Sequence, residues 1–253
     1  MDYVKYNEDA WDSYAQQDDI WTRPVTPEEF EAAKNGALEL YLTPAKTVPR
    51  DWYPPLSGRD VLGLASGGGQ QGPVFAAHGA NVTIMDISDN QLKLEQAVAD
   101  REGYTVKLVK ADMTQPFPFA DESFDLIFHP VANCYIEELQ PVWNECYRVL
   151  KKGGVLLTGF AKEELFLFET DHSKDPPLFV KYALPFNPLK NPQILQDKRN
   201  VTRACSFSHT LEEQLGGQLA AGFTITGIYD DRERGGVFAN YFNNYAATRA
   251  VKM

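Results

Sequence analysis

The residues best suited to chemistry lie in Val61-Leu62-Gly63-Leu64-Ala65-Ser66-Gly67-Gly68-Gly69-Gln70-Gln71-Gly72. Glycines at this density let a backbone turn tightly and approach a ligand that a Cβ would keep away. Gly67, Gly69 and Gly72 fit G-x-G-x-x-G, and Asp86 follows Gly67 by about 20 residues, as in a dinucleotide-binding turn with a ribose-binding acid. Read alone, this points to NAD. Further on, Lys110-Ala111-Asp112-Met113 offers an acid that can accept from an adenine amino group and an apolar side chain to lie on the ring. His129 closes an apolar run. It titrates near neutrality, as a general base should, although a packing histidine beside Pro130 would look the same in sequence.

The elements that position these groups alternate. Asp60–Ala65, Asn81–Asp86, Thr105–Val109, Phe124–Phe128 and Gly154–Phe160 read as five strands. Gln71–His78, Asp89–Arg101 and Glu138–Leu150 between them carry helical spacing. In the second helix Leu92, Gln96 and Ala99 fall near one face, and Ser88 or Asp89 can cap its start. Such alternation predicts βαβ units and a parallel sheet with helices on both faces. Residues 1–57 read as a helical cap, 58–160 as the ligand-binding core and 161–208 as a proline-rich insertion or lid over the sheet. Residues 209–253 read as a helix, Thr210–Ala221, and two strands, Phe223–Tyr229 and Tyr241–Ala250.

Bulk properties narrow the function. The 253 residues carry a net charge of −11, which repels nucleic acid at long range. No apolar stretch is long enough to cross a bilayer. The N-terminal residues lack the basic-then-apolar order of a signal peptide, so a cytoplasmic location is expected. Cys134, Cys146 and Cys205 are odd in number and far apart, which argues against disulfides and zinc. The histidines show no metal-ligand spacing, so no metal is expected. Of these, His78 suits a helix end and His172 reads as solvated.

Five features in order carry a resemblance: the glycine loop, Asp86, Asp112-Met113, Phe124-Asp125-Leu126-Ile127, and Arg148-Val149-Leu150-Lys151-Lys152-Gly153-Gly154. Together they resemble the class I S-adenosylmethionine-dependent methyltransferases over residues 58–160. The resemblance implies a Rossmann-like seven-stranded mixed sheet, with the C-terminal pair of strands completing it and one strand antiparallel. It implies S-adenosylmethionine as cofactor and direct methyl transfer, with a small-molecule acceptor as the expected substrate. An NAD-dependent oxidoreductase and a non-catalytic S-adenosylmethionine-binding protein are the alternatives.

The resemblance also implies roles. Ala65, Ser66, Gly67 and Gly69 line the methionine and ribose end, and Asp86 bridges the ribose hydroxyls. Ile87 and Met113 cover the adenine, Asp112 accepts its amino group, and Ser88 and Gln91 stand beside the strand end. His129 is the candidate base and a cofactor neighbour. Trp11 and Tyr14 lie in a stretch similar to a cofactor-capping helix. With Asn133, Tyr135 and His209 they are candidate acceptor-pocket residues, in a pocket expected to be formed by the N-terminal segment and the insertion 161–208. For His209, flanking a helix cap is the favoured reading. The chain departs from the family pattern at Gly63, where an acid is usual, and at Ala65, where glycine is usual. Ser66 and Gly68 stand in place of Cys and Thr, and Lys152 in place of Pro.

Overall fold

A computed structural model of the chain describes residues 1–17, 19–170, 177–196 and 204–253. Two helices come first, α1 (Tyr3–Gln16) and α2 (Pro27–Lys34). Asp2 caps α1 through a bond from the Lys5 amide, and Thr26 with Glu29 forms a capping box on α2. The alternating core follows: β1 (Asp60–Leu64), α3 (Gly72–Ala77), β2 (Asn81–Asp86), α4 (Asp89–Glu102), β3 (Val106–Lys110), β4 (Phe124–His129), α5 (Gln140–Val149) and β5 (Leu150–Ala161). Ser88 caps α4 and Gly103, at φ 74°, ends it, so both boundaries rest on local chemistry.

Beyond β5 lie a small hairpin of β6 (Phe168–Thr170) and β7 (Leu178–Val180), then α6 (Pro192–Gln196). A π-helical turn, Glu212–Gly216, runs into α7 (Gly217–Ala221). The chain ends in β8 (Phe223–Asp231) and β9 (Tyr245–Lys252). The main sheet has seven strands in the order β3-β2-β1-β4-β5-β9-β8, with β9 antiparallel to both neighbours. Strand order reverses between β1 and β4, which opens a crevice at their carboxyl ends.

Strand parity fills the two faces. Val61, Leu126, Phe128, Val155 and Leu157 pack with Val74, Phe75 and Trp52 on one side. Leu62, Leu64, Ile127 and Leu156 pack with Val142, Trp143 and Cys146 of α5 on the other.

Two expectations need correction. β9 begins at Tyr245, not Tyr241. Phe238–Asn240 is a 3-10 turn, and Phe238 and Phe242 pack on Phe168 at 6.1 and 5.7 Å. Their packing in a half-buried aromatic cluster accounts for that segment's strand-like composition. On α4 the buried stripe is Leu92, Glu95, Val98 and Ala99, and Gln96 faces water. The position in the apolar stripe belongs to a glutamate.

Candidate functional site

The loop after β1 is built by backbone strain and close approach. Ala65 holds φ at 48°, a left-handed conformation that costs a residue with a Cβ about 1 kcal/mol. Its amide donates to the Met85 carbonyl at 2.8 Å, which pins the turn to β2. A Cβ on Gly67 would stand 2.7 Å from Gln91 Cβ and 3.0 Å from Asp86 Oδ2, so only glycine lets the loop lie on the start of α4. The Gly67 amide donates to Asp86 Oδ2 and the Ser88 amide to Oδ1, both at 2.9 Å. Burial pushes the Asp86 carboxyl above its ordinary pKa, against the lowering effect of these amides.

A cavity of about 910 Å³ opens at this loop. Ala65, Ser66, Gly67, Asp86, Ile87, Gln91, Asp112 and Met113 all line it, as the resemblance implied. Asp112 is set by its own turn: Thr114 donates to it through its amide at 2.8 Å and its hydroxyl at 2.7 Å. Trp11 and Tyr135 also line the cavity, packed edge to face at 5.3 Å. Three buried oxygens on these walls have no partner: Ser66 Oγ, Gln71 Oε1 and Gln91 Oε1. Unpaired buried acceptors are costly, and an adenosyl amino acid, rich in N–H and O–H donors, fits them.

Other expected residues stand elsewhere. His129 is fully buried outside the cavity lining. Its Nδ1 donates to the Leu64 carbonyl at 2.9 Å, and its Nε2 meets the Asn133 amide at 2.7 Å. Strand parity places it beside Ile127 and turns its ring toward Trp143, 6.5 Å away. Burial lowers its pKa, against the raising effect of its bonds to the Leu64 carbonyl and Asn133 Oδ1, and the ring holds the loop that follows β4. This corrects its reading as a base or cofactor neighbour.

Asn133 reaches Gln214 at 2.9 Å instead of an acceptor. His209 Nε2 donates to the carbonyls of Asn133 and Ile136 at 3.1 and 2.9 Å, while Thr210 and Glu213 form the helix cap. Burial lowers the His209 pKa as well. Tyr14 accepts from the Ala204 amide at 2.9 Å. Ser88 is buried against Asp12 at 2.5 Å. Gly69 donates to Glu95 at 2.8 Å. None of these lines the cavity. His78 bonds the Ala37 carbonyl at 2.9 Å, and His172 lies outside the described residues.

The rest of the lining comes from Glu39–Pro44 of the N-terminal segment, as expected of that segment, and from Pro130–Ala132, Glu233, Arg234 and Tyr245, but from no described residue of the insertion 161–208. The 39–44 segment lies on β5 because Gly159 has no Cβ, where one would strike the Leu42 carbonyl. Asp231 accepts from the Ala45 and Lys46 amides at 2.8 and 2.9 Å and anchors its far end. No local sequence pattern marks these long-range contacts. Asn7 is a second such tie. Its amide nitrogen donates to the Tyr135 and Cys205 carbonyls at 2.9 and 3.0 Å, and its oxygen accepts from the Cys205 amide at 2.6 Å.

Glu95 could have been found as a carboxylate within an apolar helical stripe. It is fully buried and accepts from Gly69, with Tyr104 Oη donating at 3.3 Å. Burial pushes its carboxyl up to about 7, from 4.5. The folded protein therefore holds a proton that the unfolded chain releases between these values. Its stabilising effect is complete below pH 4.5 and is lost as pH rises through 7. The expected result is that Glu95→Gln gains stability over the parent as pH rises from 4.5 to 7, with a constant gain above. Urea midpoints across pH check this, and a pH-independent difference would show that Glu95 does not titrate there.

The comparisons with known proteins give the family and the fold. A methyltransferase-domain family model matches residues 62–158. An uncharacterized methyltransferase of Bacillus subtilis, YbaJ, is 44% identical over 252 residues, 99% of this chain and 98% of that protein. An S-adenosylmethionine-dependent methyltransferase from Mesorhizobium loti has the same fold at a TM-score of 0.62, with 16% identity over 80% of this chain and 94% of that one. Geranyl diphosphate C-methyltransferase from Streptomyces coelicolor, solved with S-adenosyl-L-homocysteine, matches at a TM-score of 0.53, with 16% identity over 78% and 74% of the two chains. The dehydrogenase reading of the glycine loop gives way to these matches. The chain belongs to the class I S-adenosylmethionine-dependent methyltransferases.

Proposed function

We propose that the enzyme transfers a methyl group from S-adenosylmethionine directly to a small molecule held in the same cavity. One observation carries this reading. A single cavity of about 910 Å³ joins the wall bearing Asp86, Asp112 and Met113 to a wall of Tyr41, Leu42, Val131 and Ala132. That volume lies at the upper end of the range for small-molecule sites, about 300–1,000 Å³, and leaves room for a compact acceptor beside the cofactor. In this reading Asp86 accepts from the ribose hydroxyls, Asp112 accepts from the adenine amino group, and Ile87 and Met113 flank the ring. Ala65 and Gly67 bring the backbone against the amino-acid end. The acidic net charge supports a small acceptor over a nucleic acid.

The bound cofactor supplies a methyl group on a sulfonium leaving group, so the protein has to align the acceptor and exclude water. Among the described residues, the cavity lining holds no histidine, lysine or cysteine, and its carboxylates outside Asp86 and Asp112 are Glu29 and Glu233, each bonded to a backbone amide, and the exposed Glu39. The Tyr135 phenol is raised well above its ordinary pKa by burial, and Tyr245 is raised as well. Neither gives up a proton readily at neutral pH. The acceptor class that fits is one whose lone pair is free on arrival: a thiolate, a carboxylate or an unprotonated nitrogen. Arg234, over the Tyr41 ring at 4.6 Å, gives the cavity wall a cation that suits the anionic members of that class.

Calorimetry with S-adenosylmethionine, S-adenosylhomocysteine and NAD tests the cofactor half. The expected result is micromolar binding of both adenosyl compounds and none of NAD, and the reverse would sink it. Transfer of labelled methyl to panels of small thiols, carboxylic acids, amines and alcohols tests the acceptor half. Labelling confined to aliphatic alcohols would overturn the assignment of acceptor class.

A further inference from the structure

Ser66 and Gln71 belong to the loop after β1, both line the cavity, and each ends in a buried oxygen without a partner. Ser66 is 4% exposed and Gln71 9%. An acceptor left unpaired in a buried place is unfavourable, and two of them on one loop call for a ligand that donates. Gln71 Nε2 donates to Gln70 Oε1 at 3.4 Å, so the free end of the Gln71 amide is its oxygen.

Gly63 supplies the space. A Cβ there would strike Ser66 Oγ and stand 2.5 Å from Ile84 Cδ1. A side chain at position 63 would therefore have to displace the Ser66 hydroxyl from where it stands. The carboxylates on the cavity walls are engaged or peripheral. Asp86 carries the Gly67 and Ser88 amides, and Asp112 carries Thr114. Glu29 accepts from the Thr26 amide at 2.7 Å, and Glu233 from the Phe238 amide at 2.7 Å. Glu39 is exposed.

Resting on the cofactor reading above, we propose that Ser66 Oγ and Gln71 Oε1 receive the α-ammonium group of S-adenosylmethionine. The amino-acid end is then recognised by uncharged oxygens in place of a carboxylate. An ammonium donates up to three hydrogen bonds, which matches a hydroxyl and an amide oxygen. Without a carboxylate beside it, an anionic acceptor meets less repulsion at the reacting end of the cavity.

The test compares S-adenosylhomocysteine with 5′-methylthioadenosine by calorimetry. The second compound has the adenosine and the thioether but no amino-acid end. Gln71→Ala is expected to weaken S-adenosylhomocysteine binding about five- to twentyfold and to leave methylthioadenosine unchanged. Ser66→Ala, nearly the same size and safe for folding, is expected to act in the same direction. Gln71→Glu is expected to hold or tighten S-adenosylhomocysteine, because a carboxylate bonds an ammonium more strongly than an amide does. Equal losses for both ligands would overturn the proposal. So would a Gln71→Glu protein that binds S-adenosylhomocysteine more weakly than Gln71→Ala, which would place the cofactor's carboxylate there. A wild-type protein that binds neither ligand would instead remove the cofactor reading, and this proposal with it.

Discussion

Asp86→Ala is expected to weaken S-adenosylhomocysteine binding by about 1.5–3 kcal/mol, or roughly 10- to 150-fold. Two losses add. The ribose loses a carboxylate that can accept two charge-assisted hydrogen bonds. The Gly67 and Ser88 amides, each 2.9 Å from that carboxylate, lose their common acceptor, so the glycine loop and the start of α4 are no longer tied together. Asp86→Asn separates the two effects. Its amide oxygen can replace only one of the two acceptor sites, so it should lie between wild type and alanine. Calorimetry on folded variants measures this. Unchanged affinity in the alanine variant would remove Asp86 from the site.

The largest loss of stability is expected from Trp143→Ala, about 3–5 kcal/mol. Trp143 is fully buried, and its Nε1 donates to the Glu213 carbonyl at 3.0 Å. Gly217 of α7 packs so closely that a Cβ there would stand 2.6 Å from Trp143 Cδ1. The ring thus fills the space between α5, α7 and the sheet, and no neighbour can move in to replace it. In a chain of this length, such a loss lowers the melting temperature by about 6–20 °C. Calorimetric or urea unfolding checks it, and a cost under about 1 kcal/mol would mean that the site collapses around the deletion.

Where local chemistry decides, the sequence is readable. β2 runs from Asn81 to Asp86 as expected, because an apolar run ends at the acid and Ser88 caps the helix that follows. The side of the cavity proposed to hold the cofactor is legible for the same reason: a loop, two strand ends and an acid two residues ahead of Thr114 lie within one stretch of βαβ chain. His129 shows the limit. Its place at a strand end suggests a catalytic group, yet the alternation of β4 puts it on the α5 face with Ile127. That parity was present in the sequence and outweighs proximity to the crevice. On the side proposed for the acceptor, the N-terminal segment was legible but its residues were not, because Leu42 is held by a missing Cβ at Gly159 and Ala45 by Asp231, and no periodicity links those positions.

The Asp231 anchor also sets an order of assembly. The residues it joins are separated by 186 positions, and Asn7 reaches Cys205 across 198. Contacts that close such long loops form late, after the local βαβ units have paid their own ordering entropy. On a growing chain, the adenosyl side of the cavity can take shape once β4 has emerged. The wall made by Glu39–Pro44 can lie on Val131 and β5 once Gly159 has emerged, but its far end gains the Asp231 anchor only when the last strand pair has been synthesised. A C-terminally shortened protein would therefore hold that wall at one end only.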